Sequence, residues 1–480
     1  MLFPTVNFAI FFAVVFGLSW LLRPKPLAWR LFLIGASWFF YGYWDARFVL
    51  LLAASTAGNF AAGKLIGRAL GPGGAKTRAS KWLVAGAVAF NLGTLGWFKY
   101  YGFFVTSLHN TLHDFGLDMP LPLLHVTLPI GISFFTFQAI SYVVDIGRGD
   151  ARPMRPLDFA VYLSFFPHLV AGPIVRATEF APQLERPMPA SAIPAGAAIL
   201  LIVGGLFKKV VISSYLSSHI VDPVFAVPGA HSSPEIMLAI YAYAIQIYAD
   251  FSGYTDIAIG CALLLGIRFP QNFNAPYTAR SLQDFWRRWH MSLSRWLRDY
   301  LYIPLGGSRG GRLSTSRNLL LTMLLGGLWH GAAWTFVAWG GIHGSGIVLE
   351  RWCREQFRRS GRELSARLRT PLMALQWFAT LNVVCVAWVF FRAETLSDAR
   401  ELLTRAVTAG GSAPLVTPGL VAIVASAVLF QFVPPARLDR LQVAFVRMGP
   451  VLQGATLAVA LVAIDALGPR GVSPFIYFQF

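Results

Sequence analysis

Apolar residues run along this chain in blocks too long and too frequent for a water-soluble core. Apolar stretches occupy residues 5–22, 48–62, 82–90, 128–144, 319–339, 383–391, 415–432 and 451–464. As helices rising about 1.5 Å per residue, the longer ones cross a hydrocarbon layer of roughly 30 Å. The polar connections between them include no Ser/Gly linker, low-complexity tail or internal repeat, so residues 1–480 are predicted to form a single integral membrane domain. Residues 1–4 carry no Lys or Arg and residues 20–22 offer no small-residue cleavage site, which predicts a retained first span. Pro167, Gly172 and Pro173 interrupt the apolar segment 159–175. Such breaks are tolerated at membrane depth only where protein or a water-filled cavity satisfies the backbone, so a re-entrant segment is expected there. The pattern predicts an all-α, polytopic integral membrane protein of roughly ten to twelve transmembrane helices.

Composition agrees: 56% of residues are hydrophobic and 13% charged, with a mean hydropathy of +0.57. The formal net charge of +18 would suit nucleic acid, but the Lys and Arg residues fall in short connections between apolar blocks. That is where cytoplasmic loops collect them, so membrane topology explains the charge and no nucleic-acid partner is expected. Residues 23–30, 64–81, 148–155, 280–317 and 351–369 are assigned to the cytoplasm, with the N-terminus outside. Residues 106–125 hold His109, His113, Asp114, Asp118 and His125 without Lys or Arg, which predicts an outer loop; the histidine spacing fits no metal pattern. The last two basic clusters need an even number of crossings between them, yet only 33 residues intervene. A broken or re-entrant segment is therefore predicted there. The three cysteines, Cys261, Cys353 and Cys385, have no paired spacing and imply neither disulfide nor metal.

Two stretches carry candidate chemistry. In SLQDFWRRWHMSLSRWLRDY, residues 281–300, Ser281 and Asp284 have the form of a capping box. On one straight helix Trp286, Trp289, Leu293, Trp296, Leu297 and Tyr300 share a face opposite Arg287, Arg288, Arg295 and Arg298, which predicts an interfacial helix. His290 falls at the border, either facing a pocket mouth or lying on the surface of an anchor. In NLLLTMLLGGLWHGAAWTFVAWGGIHG, residues 318–344, His330 is the only ionisable side chain before His343 and is expected in the middle of an apolar helix. Such a group is costly without a partner or a cavity, and small neighbours (Gly326, Gly327, Gly331, Ala332, Ala333) leave room beside it. Trp334 would share its face; Trp339 and His343 would point away. A histidine with an unperturbed pKa near 6.5 can accept a hydroxyl proton as the oxygen attacks a thioester carbonyl. No G-x-S-x-G elbow and no phosphate-binding loop with its Lys occurs.

With PIGISFFTFQAISYVVDI (129–146), FFPHLVAGPI (165–174), DFSGYTDIAIG (250–260), residues 271–307, GGLWHGAAWTFVAWGGIHG (326–344) and PFIYFQF (474–480), the chain resembles the membrane-bound O-acyltransferase (MBOAT) family. Within the family it looks like the bacterial members that serve O-acetylation of polysaccharides such as alginate. The resemblance implies a ring of tilted, broken helices around a tunnel, multi-pass in the bacterial inner membrane. It implies His330 and His290 as catalytic residues, and acetyl-CoA as the acyl donor, with no bound cofactor. Trp329, Trp334, Asp250, Tyr254, Arg287 and Arg288 become substrate-binding candidates, although anionic membrane lipid is an equal partner for the arginines. A separate extracytoplasmic acetyltransferase is expected to receive the group and place it on the polysaccharide. The competing readings are a transporter of lipid-linked sugar, which would share the spans and the intramembrane histidine, acylation of a protein or lipid, and a scaffold of a secretion complex, which would keep working without His330. A transporter would also be expected to show repeats or several intramembrane charges.

Overall fold

A computed structural model describes residues 1–117, 124, 126–170, 172–361, 365–469 and 475–476. Asp118 and His125 of the expected outer loop, and residues 474 and 477–480 of the terminal segment, lie outside them. Every regular element among the described residues is helical, and the chain is an all-α, polytopic membrane protein. Five helices among the described residues are long and apolar enough to cross a membrane: Arg47–Ala69, Ala195–Ala226, Ser233–Leu264, Arg367–Arg392 and Pro450–Leu467. Pro418–Phe430 and Pro435–Arg447, bent by 95°, make a sixth if taken as one span. The estimate of ten to twelve counted apolar blocks; several of these form shorter helices, such as the 17-residue Val6–Leu22, or are broken by turns, so they do not meet the same test.

The chain folds as two compact units, one of Met1–Ala198 with Ile257–Pro270, the other of Ile199–Asp256 with Gln271–Phe480. In the first, Ile132–Arg148 is buried along nearly its whole length and is bounded by two glycines in the left-handed region, Gly131 (φ 78°) and Gly149 (φ 84°). A side chain at Gly131 would run into the Leu169 carbonyl oxygen, so the position needs glycine twice over. The segment expected to break does so: Pro156–Ser164 and Phe166–Leu169 are separate helices parted at Phe165. Three basic clusters tie into this unit through their loops. Arg30 pairs with Asp158, Arg23 donates to the carbonyls of Leu265 (3.0 Å) and Met188 (2.7 Å), and Gly67 packs on Pro153.

The second unit takes residues 233–256 of the long helix Ser233–Leu264 and residues 199–226 of Ala195–Ala226, which carries two π-helical segments, Phe207–Ser213 and Ser217–Val221. The even-crossing problem is solved by a hairpin. Gly311–His330 and Trp334–Arg359 run antiparallel across a break at residues 331–333. They touch backbone to backbone: a methyl on Gly327 would strike the Phe336 carbonyl oxygen, and one on Gly340 the Met323 carbonyl oxygen. Both basic clusters therefore return to the same end of the hairpin, where Arg312 and Glu355 form an ion pair at 2.5 Å.

Candidate active site

Helix Gly311–His330 stops at its histidine because Gly331 turns extended (φ −155°, ψ 150°), and Phe336 packs where a side chain on Gly331 would be. His330 is thus the last residue of a helix rather than the middle of one, a correction to the straight-helix reading. It is buried, 3% exposed, with its ring centre 4.9 Å from Trp329, 5.0 Å from Trp339 and 5.3 Å from Phe391. The chain reversal turns the expected neighbours round. Trp334 opens the next helix and is 57% exposed, whereas Trp339 and His343, expected to face away, are fully buried and meet edge-on with ring centres 4.9 Å apart. The signal was present in the run His-Gly-Ala-Ala-Trp, whose small residues permit a break as readily as a close approach.

The second histidine also sits at a break. Residues 281–300 form not one helix but Leu282–Trp286, then Met291–Leu297, then a π-helical Arg298–Tyr302. Ser281 caps the first, its Oγ accepting from the Asp284 N–H at 3.0 Å. His290 adopts φ 41°, ψ 55° and is fully buried, where the expectation had it at the border of two faces. A left-handed non-glycine residue costs about 1–3 kcal/mol, and here the contacts of one asparagine hold it. Asn272 Oδ1 accepts from Ser292 N (3.1 Å) and Ser292 Oγ (2.9 Å), its carbonyl accepts from Met291 N (2.9 Å), and His290 Nδ1 lies 3.2 Å from the same Oδ1. Because a backbone N–H can only donate, that atom is an oxygen, so His290 Nδ1 carries a proton toward it and, in the neutral ring, Nε2 holds the lone pair. The ring meets Phe251 edge-on at 4.7 Å and lies 6.1 Å from Trp329, which touches both histidines. Nothing in the sequence singled out Asn272.

Asp250 and Tyr254 stand one layer further out. Asp250 pairs with the buried Lys209, accepts from Ser213 Oγ at 3.3 Å and from the Ile476 N–H at 2.9 Å. Tyr254 packs on Phe475 at 4.3 Å, and Phe475 lies 5.8 Å from Phe251. Asp250 therefore anchors a distant segment against the ring that supports His290.

The basic end of the hairpin holds a cavity of about 760 Å³. Arg287, Arg295, Arg298, Arg351, Arg354 and Arg358 line it, against only Glu350 and Glu355, so it favours anions. The apolar side of its wall includes Trp286 and Met323, the latter on the helix that ends in His330. Arg287 lines the cavity but Arg288 does not; its Nε bonds Asp284 at 2.9 Å. Among the described residues no three His, Cys, Asp or Glu side chains are grouped to hold a metal ion.

The sequence matches the model of the membrane-bound O-acyltransferase family over residues 90–391, a span that contains every residue of the two histidine segments. The chain belongs to that family. It is an O-acyltransferase and a multi-pass integral membrane protein. It is 43% identical over 403 residues to a probable alginate O-acetylase of Pseudomonas aeruginosa, covering 83% of this chain and 73% of the relative. It is 38% identical over 417 residues to a peptidoglycan O-acetyltransferase of Helicobacter pylori, covering 81% and 75%. A teichoic acid D-alanyltransferase of Streptococcus thermophilus is 28% identical over 316 residues, 58% of this chain and 74% of the relative. The names of these relatives differ in the group transferred, acetyl or D-alanyl, and in the acceptor, alginate, peptidoglycan or teichoic acid.

Proposed function

We propose that this enzyme takes an acetyl group from a cytoplasmic thioester, acetyl-CoA, and delivers it across the inner membrane for O-acetylation of an extracytoplasmic polysaccharide such as alginate. The observation that carries the reading is the hairpin itself. Its basic end lines an anion-attracting cavity, and its broken end presents His330. From Met323 in the cavity wall to His330 is about 10 Å along one helix at roughly 1.5 Å per residue. A charged donor is confined to one side of the membrane and a polymer to the other, so only the small acyl group has to pass.

In this reading His330 accepts the proton of an incoming hydroxyl while its oxygen attacks the thioester carbonyl. The carbon–sulfur bond breaks, the thiolate leaves and the proton passes to it, so that ester and free thiol are the products. The lone pair on a neutral His290 Nε2 gives a second acceptor beside Trp329, which also packs on His330. A separate extracytoplasmic acetyltransferase would receive the group before it reaches the sugar.

The test is His330→Gln, which keeps polarity and volume but removes the titratable base. General-base catalysis alone is worth about 10²- to 10⁴-fold, so acetyl ester on the secreted polymer should fall at least that far while the amount of membrane-inserted protein is unchanged. Near-normal esterification would remove the base and the reading with it.

A further inference from the structure

Between the arginine cavity and His330 stands a cluster of polar atoms that the protein does not use for itself. Trp286 Nε1, Trp339 Nε1 and both ring nitrogens of His343 are buried with no hydrogen-bond partner among the described residues. The three rings touch: Trp286 lies 5.3 Å from His343 and 5.6 Å from Trp339, and Trp339 lies 4.9 Å from His343. Buried polar groups are nearly always paired, so four such atoms on three adjoining side chains mark unused hydrogen-bonding capacity and not a packing accident. Their position is informative as well. Trp286 lines the cavity and Trp339 is 5.0 Å from the His330 ring, so the cluster spans the way from one to the other.

The chemistry of the atoms narrows the occupant. Two indoles offer N–H donors only, and an imidazole offers one donor and one acceptor. No charged side chain takes part in the cluster. A neutral group that presents carbonyl oxygens and an N–H is the complement, which is the character of a secondary amide. We propose that His343, with Trp286 and Trp339, binds the amide-bearing arm of a phosphopantetheine thioester, holding the arm while the arginines hold its phosphates. This rests on the thioester donor of the proposed function and adds to it the recognition of the arm. The same arm occurs in CoA and on a carrier protein.

Equilibrium binding to the detergent-purified protein tests it, with CoA and adenosine 3′,5′-diphosphate as probes, the second lacking the arm. Wild type should bind CoA more tightly. His343→Phe, which keeps a flat ring, should weaken CoA about fivefold to thirtyfold, the loss of one or two hydrogen bonds. The affinity for the armless nucleotide should not move, and His343→Gln, with a donor and an acceptor, should recover part of the loss. Equal weakening of both probes would assign His343 to packing and overturn the inference, as would no weakening of CoA. If wild type binds neither CoA nor a phosphopantetheinylated carrier protein, the thioester donor itself falls. Where the carrier protein binds and CoA does not, the comparison is made between its pantetheinylated and unmodified forms, and the His343→Phe loss must appear only in the first.

Discussion

Adjacent glycines in the hairpin provide the sharpest test of how the site is held. A methyl at Gly340 would overlap the Met323 carbonyl oxygen and come within 3.0 Å of its carbon and 3.1 Å of Leu324 Cα. These are backbone atoms that cannot rotate aside. Restoring an ordinary carbon–carbon separation of about 3.5–4.0 Å requires the two helices to part by roughly 0.5–1 Å. Overpacking of this kind costs about 1–3 kcal/mol. A catalytic group misplaced by about 1 Å can lose on the order of 10²-fold in rate, and Trp339, which packs on His330, is the preceding residue. At Gly341 the nearest atom to an added methyl is Leu324 Cδ2 at 3.7 Å, an ordinary contact. There alanine should be neutral or stabilising by up to about 1 kcal/mol from helix propensity. We expect Gly340→Ala to insert yet lose about tenfold to a hundredfold of its acyl transfer, with Gly341→Ala close to wild type. Acetyl ester per unit of inserted protein, with thermal unfolding in detergent alongside, measures both. If the two variants behave alike, the close approach does not set the site geometry.

Two neighbouring arginines should separate in the same way: Arg287→Ala, in the cavity wall, should weaken binding of a phosphate-bearing donor most at low salt, where screening is least. Arg288→Ala should have the smaller effect because that side chain is engaged by Asp284, and equal losses in a titration at two salt concentrations would argue against the cavity as the phosphate site. Asp250→Asn removes the carboxylate facing buried Lys209 and should destabilise the protein by about 3–5 kcal/mol, with Lys209→Met in the same chain recovering part of it. A lowered unfolding temperature that the second substitution does not raise would show that the ion pair is not the cause.

Fold class and the candidacy of His330 were legible because each rests on a local cost, whereas His290 drew its candidacy from the family resemblance. A long apolar block has to span, and an ionisable group within one needs a reason. What failed was the assumption of straight helices. A helical wheel carries phase forward only while the backbone keeps its turn, and at Gly331 and His290 it does not. Each break reassigns every later residue, which is why Trp339 and His343 exchanged places with Trp334 and why one amphipathic helix became three short pieces. Asn272 was invisible for a different reason. Its role is a contact across 18 residues to a strained histidine, and neither periodicity nor composition encodes that. The break expected between the last two basic clusters is present at residues 331–333, because that expectation came from the number of intervening residues and not from helical phase.

The bond from Ile476 to Asp250 closes a loop of 226 residues. During synthesis at about 5–20 residues per second, Asp250 waits roughly 10–45 s for that partner. Lys209 meets it long before. The aromatic wall that backs His290 through Phe251 and Phe475 is therefore the last part of the second unit to be completed. A nascent chain, or one clipped before residue 475, would hold both histidines in sequence while lacking the wall. The backing of His290 thus depends on a segment more than two hundred residues further along the chain than the carboxylate that holds it.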